Sequence, residues 1–290
     1  MRTSTLEVVP ITPTIGAEIK GLSLAAAPDD PAAMEEIRRA LADHLVLFFR
    51  DQHLTPEEQL RFASRFGPFE HHAFAKHHPD HPGLVVLDQT TPKTDGANSW
   101  HTDSSFMEQP ALASVLQAVQ LPGNGGDTCW ASMYAAYDAL SEPMRTMLDG
   151  LEALHDIIGP LEKAIAGGHS TGTDLESIRR QWPPMRHPVV RRHPDTGRHC
   201  LYVNSNFTTR ILGIAKEESD AILPFLLNHI QRPDFQVRLQ WTPGAVAFWD
   251  NRCTQHYAVP DYTGQRRVMH RATLTGERPV RAARRPTDRV

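Results

Sequence analysis

The sequence predicts a mixed α/β protein with a mainly β core, a double-stranded β-helix (jelly roll) decorated with helices. Three observations lead there. Short runs rich in β-branched and aromatic residues recur through the last hundred positions. Capped helical patterns concentrate in the first half and at the edges. No internal repeat or low-complexity linker divides the chain, so residues 1–290 read as one domain. With 290 residues, 40% of them hydrophobic, the chain can bury a sizeable core.

The elements follow in order. Asp30-Pro31 opens a helix over about 31–44, with Ala33, Ile37 and Leu41 recurring on one face. Leu45 to Phe49 is a short buried strand. Thr55-Pro56-Glu57-Glu58 combines an N-cap, a first-turn proline and a capping-box glutamate, and the helix it opens stops near Gly67. Leu84 to Leu87 is a strand, and the polar stretch from Pro92 to Ser99 is a loop leading into Trp100. Helical patterns return over Ser132 to Leu140 and Glu142 to Leu151. Residues 157–186, rich in Gly, Pro and Ser, are the least regular and read as a mobile excursion, a lid. Beyond them, PVVRRH and RHCLYVN flank Pro194-Asp195-Thr196-Gly197 as a hairpin. A helix follows near Lys216 to His229. QVRLQW, Pro243-Gly244 and AVAFWDN read as strand, turn, strand, and RRVMHRATLTG closes the set.

Bulk properties exclude several classes. A net charge of -4 with 22% charged residues gives no sign of a nucleic-acid partner. The basic tail over 278–290 reads as a solvated terminus. Cys129, Cys200 and Cys253 lie far apart with no CxxC pair, which indicates neither a zinc knuckle nor a disulfide framework. No run approaches the ~18 apolar residues of a membrane span, and the first residues lack a signal-peptide core. A cytoplasmic setting without membrane attachment is the expectation.

Sixteen histidines direct attention to metal chemistry. On an extended segment, His101 and Asp103 would share one face and converge on one point. His256, in WDNRCTQHYAVPDY, is the best third ligand from a distant strand. Two histidines and a carboxylate form the facial triad of non-haem Fe(II) oxygenases, which leaves positions free for a chelating cosubstrate and O2. His-x-Asp alone is a weak signal in so histidine-rich a chain; its weight comes from what accompanies it. Alternation along the strand from Arg266 to Thr275 puts Arg267, Arg271 and Thr273 on one face, and an inward guanidinium needs an anion. A dicarboxylate held by a bidentate fork would supply one. A protein carboxylate such as Asp250 or Asp261 would serve as well, and spacing alone leaves both open.

WHTDSSF, GGDTCW, and WDNRCTQHYAVPDY followed by RRVMHRATLTG resemble the taurine dioxygenase (TauD/TfdA) family of Fe(II)/2-oxoglutarate-dependent dioxygenases. The resemblance runs over nearly the whole chain, from TIGAEIKGLSL to the final strand. It implies that His101, Asp103 and His256 are the catalytic iron ligands. It makes Thr128, Arg267 and Arg271 the contacts of 2-oxoglutarate and of a neighbouring anion, with Arg267 on the distal carboxylate. His72, Phe106, Phe207 and Arg271 would form the substrate pocket. The implied cofactors are Fe(II), 2-oxoglutarate as cosubstrate, and O2. The implied reaction hydroxylates a C–H of a small anionic substrate, a taurine-like alkylsulfonate, and releases succinate and CO2. An aryloxyalkanoate, an alkyl sulfate or a natural-product intermediate is the alternative substrate, and a non-catalytic cupin-like binding protein the remote alternative. A homo-oligomer, dimer or tetramer, is expected. Where taurine enzymes carry a tyrosine and an asparagine that hold the substrate amine, this chain has Ala75 and Ala97, which argues against taurine itself.

Overall fold

The computed structural model describes residues 6–71, 75–92, 97–166 and 174–282. Its centre is a seven-stranded sheet built from β1 (Glu7–Pro10), β2 (Ala17–Lys20), β3 (Val46–Phe49), β4 (Val85–Gln89), β5 (Ala111–Gln120), β13 (Val246–Asp250) and β15 (Arg267–Thr275). The order is β1-β2-β3-β13-β5-β15-β4, and only the β2–β3 pairing is parallel.

Period-two alternation gives this sheet two dry faces. Leu47, Phe49, Ala113, Val115, Val246, Phe248, Ala272 and Leu274 point one way. They meet α1 (Pro31–His44), through Met34, Ile37 and Leu41, and Phe62 of α2 (Pro56–Ala63). Phe48, Leu116, Ala247, Trp249 and Met269 point the other way. There they pack on a three-stranded sheet ordered β12 (Gln236–Leu239), β6 (Thr128–Ser132) and β14 (Thr254–Ala258). Burial on both faces explains why β3 and β13 read as unbroken apolar runs.

Helices α3 (Met133–Asp138), α4 (Glu142–Leu148) and α7 (Lys216–His229) border this second core. Two further three-stranded sheets complete the chain. One is β11 (Thr208–Leu212), β7 (Glu152–His155) and β8 (Met185–Pro188); the other is β10 (His199–Leu201), β9 (Val190–Arg192) and β16 (Val280–Arg281).

Local chemistry accounts for the elements that the sequence locates. Asp30 accepts from the backbone N–H groups of Ala32 and Ala33, and Thr55 with Glu58 closes a capping box. The β9–β10 hairpin turns at Gly197, whose φ is 71°.

Two expectations need correction. Residues 157–186 are largely regular: α5 (Ile158–Ala166), α6 (Leu175–Gln181) and then β8. Asp174 caps α6, and Leu161 and Ile178 are buried. The Gly, Pro and Ser between short apolar stripes hid two helices, each too brief for periodicity to declare. Residues 167–173 of that segment lie outside the described residues. QVRLQW and AVAFWDN are strands either side of a turn, as the sequence indicates; β12 joins the small sheet and β13 the large one. The bend at Gly244 (φ 72°) therefore carries the chain between layers. The start of the basic tail is not simply solvated, because β16 pairs with β9 and Arg281 lies 3.3 Å from Glu152. Among the described residues no helix is long and apolar enough to cross a membrane.

Candidate active site

The site lies between the large sheet and the β12-β6-β14 sheet. His101 and His256 face each other across an antiparallel bridge and exchange both backbone hydrogen bonds (3.1 and 2.8 Å). Their rings are 4.1 Å apart between centroids. The His101 Nε2 and His256 Nε2 atoms lie 3.9 and 3.8 Å from Asp103 Oδ1. All three residues are buried, with ligand atoms within 4.8 Å of one another.

Extended alternation is not what brings Asp103 in. Thr102 hands its hydroxyl to the Asn251 carbonyl, and the chain then turns, with Ser104 at φ 54°. A bridge at one ligand and a turn at the other achieve the convergence that i and i+2 spacing suggests.

The donor set fits a divalent metal. His101 Nδ1 is 2.7 Å from the Ser99 carbonyl, which places the proton there and leaves the Nε2 lone pair facing Asp103. Burial pushes His256 down to about 3, so its imidazole is a neutral donor at physiological pH. Asp103 Oδ2 accepts from Ser114 Oγ (3.1 Å) and Asn251 Nδ2 (3.4 Å), which fixes the carboxylate and aims Oδ1 at the histidines. Nothing in the sequence singled out Ser114 or Asn251. Ser114 comes from β5, 11 residues away along the chain but directly beneath the carboxylate.

The two arginines of β15 separate in role. Arg267 is 7% exposed, donates from Nε to the Gly126 carbonyl (3.1 Å) and stacks its guanidinium on Tyr262. Burial lowers its pKa, and among the described residues no carboxylate pairs with it within 4.0 Å. Gly126 has φ 73°, and a Cβ there would meet Arg267 Cδ and Nε at 3.0 Å. The glycine of GGDT is thus what lets the guanidinium lie against that loop. Thr128 follows at the start of β6, its Oγ1 accepting from Trp241 Nε1 (3.0 Å), which leaves its own proton to give.

Arg271 instead pairs with Asp103 Oδ1 at 3.2 Å, while its Nε is buried with no partner. Asp250 and Asp261, the protein carboxylates weighed as partners for the β15 arginines, are engaged elsewhere. Asp250 binds Arg252, and Asp261 accepts from the Gly126 N–H and lies near Arg238.

Phe106 and Phe207 come together at 5.2 Å between centroids. They belong to an apolar cluster completed by Ile157, Ile158 and Leu161 near α5 and Ile178 of α6. Buried polar groups hold this wall: Asn204 Oδ1 accepts from the Phe207 N–H, and Ser105 Oγ meets both Asn204 Nδ2 and His155 Nδ1. His72 lies outside the described residues. The Ala97 carbonyl accepts from the Ala258 N–H.

Sequence reasoning also missed Glu70. It is 7% exposed, accepts from Ser104 Oγ through Oε1 (2.5 Å), and has a buried Oε2 without a hydrogen-bond partner. Its only sequence signal is an acid in place of an apolar residue next to His71.

A buried set of two histidines and one carboxylate is the arrangement of mononuclear non-haem iron oxygenases. The family model for taurine catabolism dioxygenases, TauD/TfdA family, matches residues 7–273, and the chain belongs to that family. It is 40% identical over 289 residues to an alpha-ketoglutarate-dependent sulfate ester dioxygenase of Pseudomonas putida, covering 95% of this chain and 91% of that one. It is 37% identical to an alkylsulfatase of Acinetobacter baylyi, covering 95% and 86%. A crystal structure of a taurine dioxygenase from Burkholderia xenovorans superposes with a TM-score of 0.81 at 36% identity, covering 97% and 92%. The protein is therefore a dioxygenase that uses Fe(II), 2-oxoglutarate (alpha-ketoglutarate) and O2. The non-catalytic cupin-like reading falls with that membership.

Proposed function

We propose that the chain hydroxylates the carbon bearing the sulfur-oxygen group of an alkyl sulfate ester or alkylsulfonate. The observation that carries this reading is the pair of arginines: Arg267, buried without a carboxylate partner among the described residues, and Arg271 beside the His-Asp-His set. The large sheet and the β12-β6-β14 sheet are read as the two walls of a jelly roll, within a single domain over 1–290.

In this reading His101, Asp103 and His256 hold Fe(II). Bound there with 2-oxoglutarate, the metal supplies the O2-dependent oxidation that yields succinate and CO2 and hydroxylates a C–H. The rest is the work of the chain. Arg267 and the Thr128 hydroxyl receive the distal carboxylate of 2-oxoglutarate, and a planar fork suits that group better than an ammonium would. Arg271 binds the substrate's anionic head. Ser114 and Asn251 hold the Asp103 carboxylate in place through Oδ2.

Phe106, Phe207 and the flanking isoleucines exclude water and take the alkyl chain. Each buried methylene there contributes about 0.8 kcal/mol, which favours chains longer than that of taurine. The relatives named for sulfate esters point the same way. Once hydroxylated, a carbon carrying sulfate collapses to an aldehyde and frees the sulfate. The test is a panel of alkyl sulfates, alkylsulfonates and aryloxyalkanoates of increasing chain length, followed by succinate release. Rising kcat/KM with chain length among sulfates supports the reading; turnover confined to aryloxyalkanoates overturns it.

A further inference from the structure

Glu70 is a buried carboxylic acid that the reaction does not use. It stands directly before His71, where the chain runs along β15: the Phe69–Leu274 bridge and a 2.8 Å hydrogen bond from the Glu70 N–H to the Thr273 carbonyl fix its place. Phe69 and Leu274 belong to the apolar core behind the sheet. Alternation therefore turns Glu70 to the opposite face, the one carrying Arg271 and Thr273. Ser104, held at φ 54° next to Asp103, clamps Oε1. Among the described residues, Oε2 is left buried with no hydrogen-bond partner.

Such an atom is costly unless something meets it. Arg271 Nε is orphaned in the same way, so two unpartnered buried groups lie in the fields of one another beside Asp103. We propose that Glu70 is a specificity-determining residue whose protonated carboxyl donates Oε2–H to an oxygen of the substrate's anionic head, next to Arg271. This rests on the substrate reading above.

The electrostatics agree. Burial pushes Glu70 up to about 7; the Ser104 hydrogen bond opposes this, the Asp103 charge adds to it and the Arg271 charge opposes it. Among the described residues, Asp103 and Arg271 are the charged groups that act on it. A sulfate or sulfonate arriving beside it adds a further negative charge and favours the protonated form. At pH 8 binding should therefore take up a proton. Alkyl sulfates do not titrate in this range, so that proton must go onto the protein.

The test is calorimetric titration of the anaerobic Fe(II)- and 2-oxoglutarate-loaded enzyme with hexyl sulfate, in buffers of different ionisation enthalpy. The expected result at pH 8 is uptake of nearly one proton per hexyl sulfate, absent in Glu70→Gln. Affinity in the parent should fall about tenfold per pH unit above 7, while Glu70→Gln, which keeps a donor, should be flat. Glu70→Ala should bind at least tenfold more weakly at pH 6, with kcat changed much less than KM. Uptake that persists in Glu70→Gln, or binding by the parent without uptake, overturns the inference and leaves the substrate reading standing. If the parent binds no alkyl sulfate or sulfonate while still turning over another anion, the substrate reading fails and this inference fails with it.

Discussion

Two buried clusters in this molecule look alike on paper and behave differently. His101, Asp103 and His256 form one; His193, Asp250 and Cys253 form the other, and both bring three potential ligand atoms within 4.8 Å of one another. In the second, the anion is already answered. Arg252 donates to both oxygens of Asp250 (Nε at 3.0 and 3.2 Å, Nη2 at 2.7 Å), and His193 Nε2 lies 3.1 Å from Oδ2. Burial alone would raise Asp250, but Arg252 and His193 outweigh it and hold the carboxyl below the ordinary range. Burial also pushes the Cys253 thiol well up, so no thiolate is offered. In the first cluster Asp103 has one oxygen fixed by neutral donors and the other turned to two imidazoles and Arg271. Proximity of ligand types does not make a metal centre. What separates the two is how fully a cation of the protein answers the carboxylate: Arg252 reaches both oxygens of Asp250, Arg271 only one oxygen of Asp103.

That contrast can be broken in order of effect. Asp103→Ala should abolish turnover while leaving the fold intact, checked by succinate release and circular dichroism. Asp250→Ala should instead damage the fold, costing about 3–5 kcal/mol because Arg252 is left buried without its partner. Denaturant unfolding measures that loss, and whatever protein remains folded should still bind Fe(II). Arg267→Ala should weaken 2-oxoglutarate by roughly 2–5 kcal/mol, the usual loss when one partner of a buried charge pair is removed. The KM for 2-oxoglutarate reports it. Ser114→Ala should be the mildest, lowering metal affinity about 10-fold to 100-fold through a carboxylate no longer held in place.

How much of this was legible in the sequence follows from how local each signal is. The caps of α1 and α2 were, because Asp30 and Thr55 act on backbone groups two and three residues away. His101 and Asp103 were legible as a pair, and the motif order around His256 pointed to the third member of the buried set. Thr128 entered only through the family resemblance, while alternation along its strand picked out Arg267 as an inward cation and the resemblance gave it a role. Arg267 reaches the carbonyl of Gly126 in a loop 141 residues away, which no spacing rule reaches. Ser114 and Asn251 left no trace, and Glu70 only a faint one, for the same reason: each acts on a residue distant in sequence through hydrogen bonds that follow no sequence period. Residues that α5 and α6 contribute to the Phe106–Phe207 cluster failed differently, since two short helices broken by Gly and Pro resemble a loop until tertiary packing buries one stripe of each.

The claim that His101, Asp103 and His256 hold the iron is tested most directly by optical titration. Fe(II) and 2-oxoglutarate are added anaerobically to the parent protein, to His256→Ala and to Cys253→Ala. The parent and Cys253→Ala should show the weak visible charge-transfer band of the chelate, and His256→Ala should not. A band that survives in folded His256→Ala, or that never forms in the folded parent, would contradict the account.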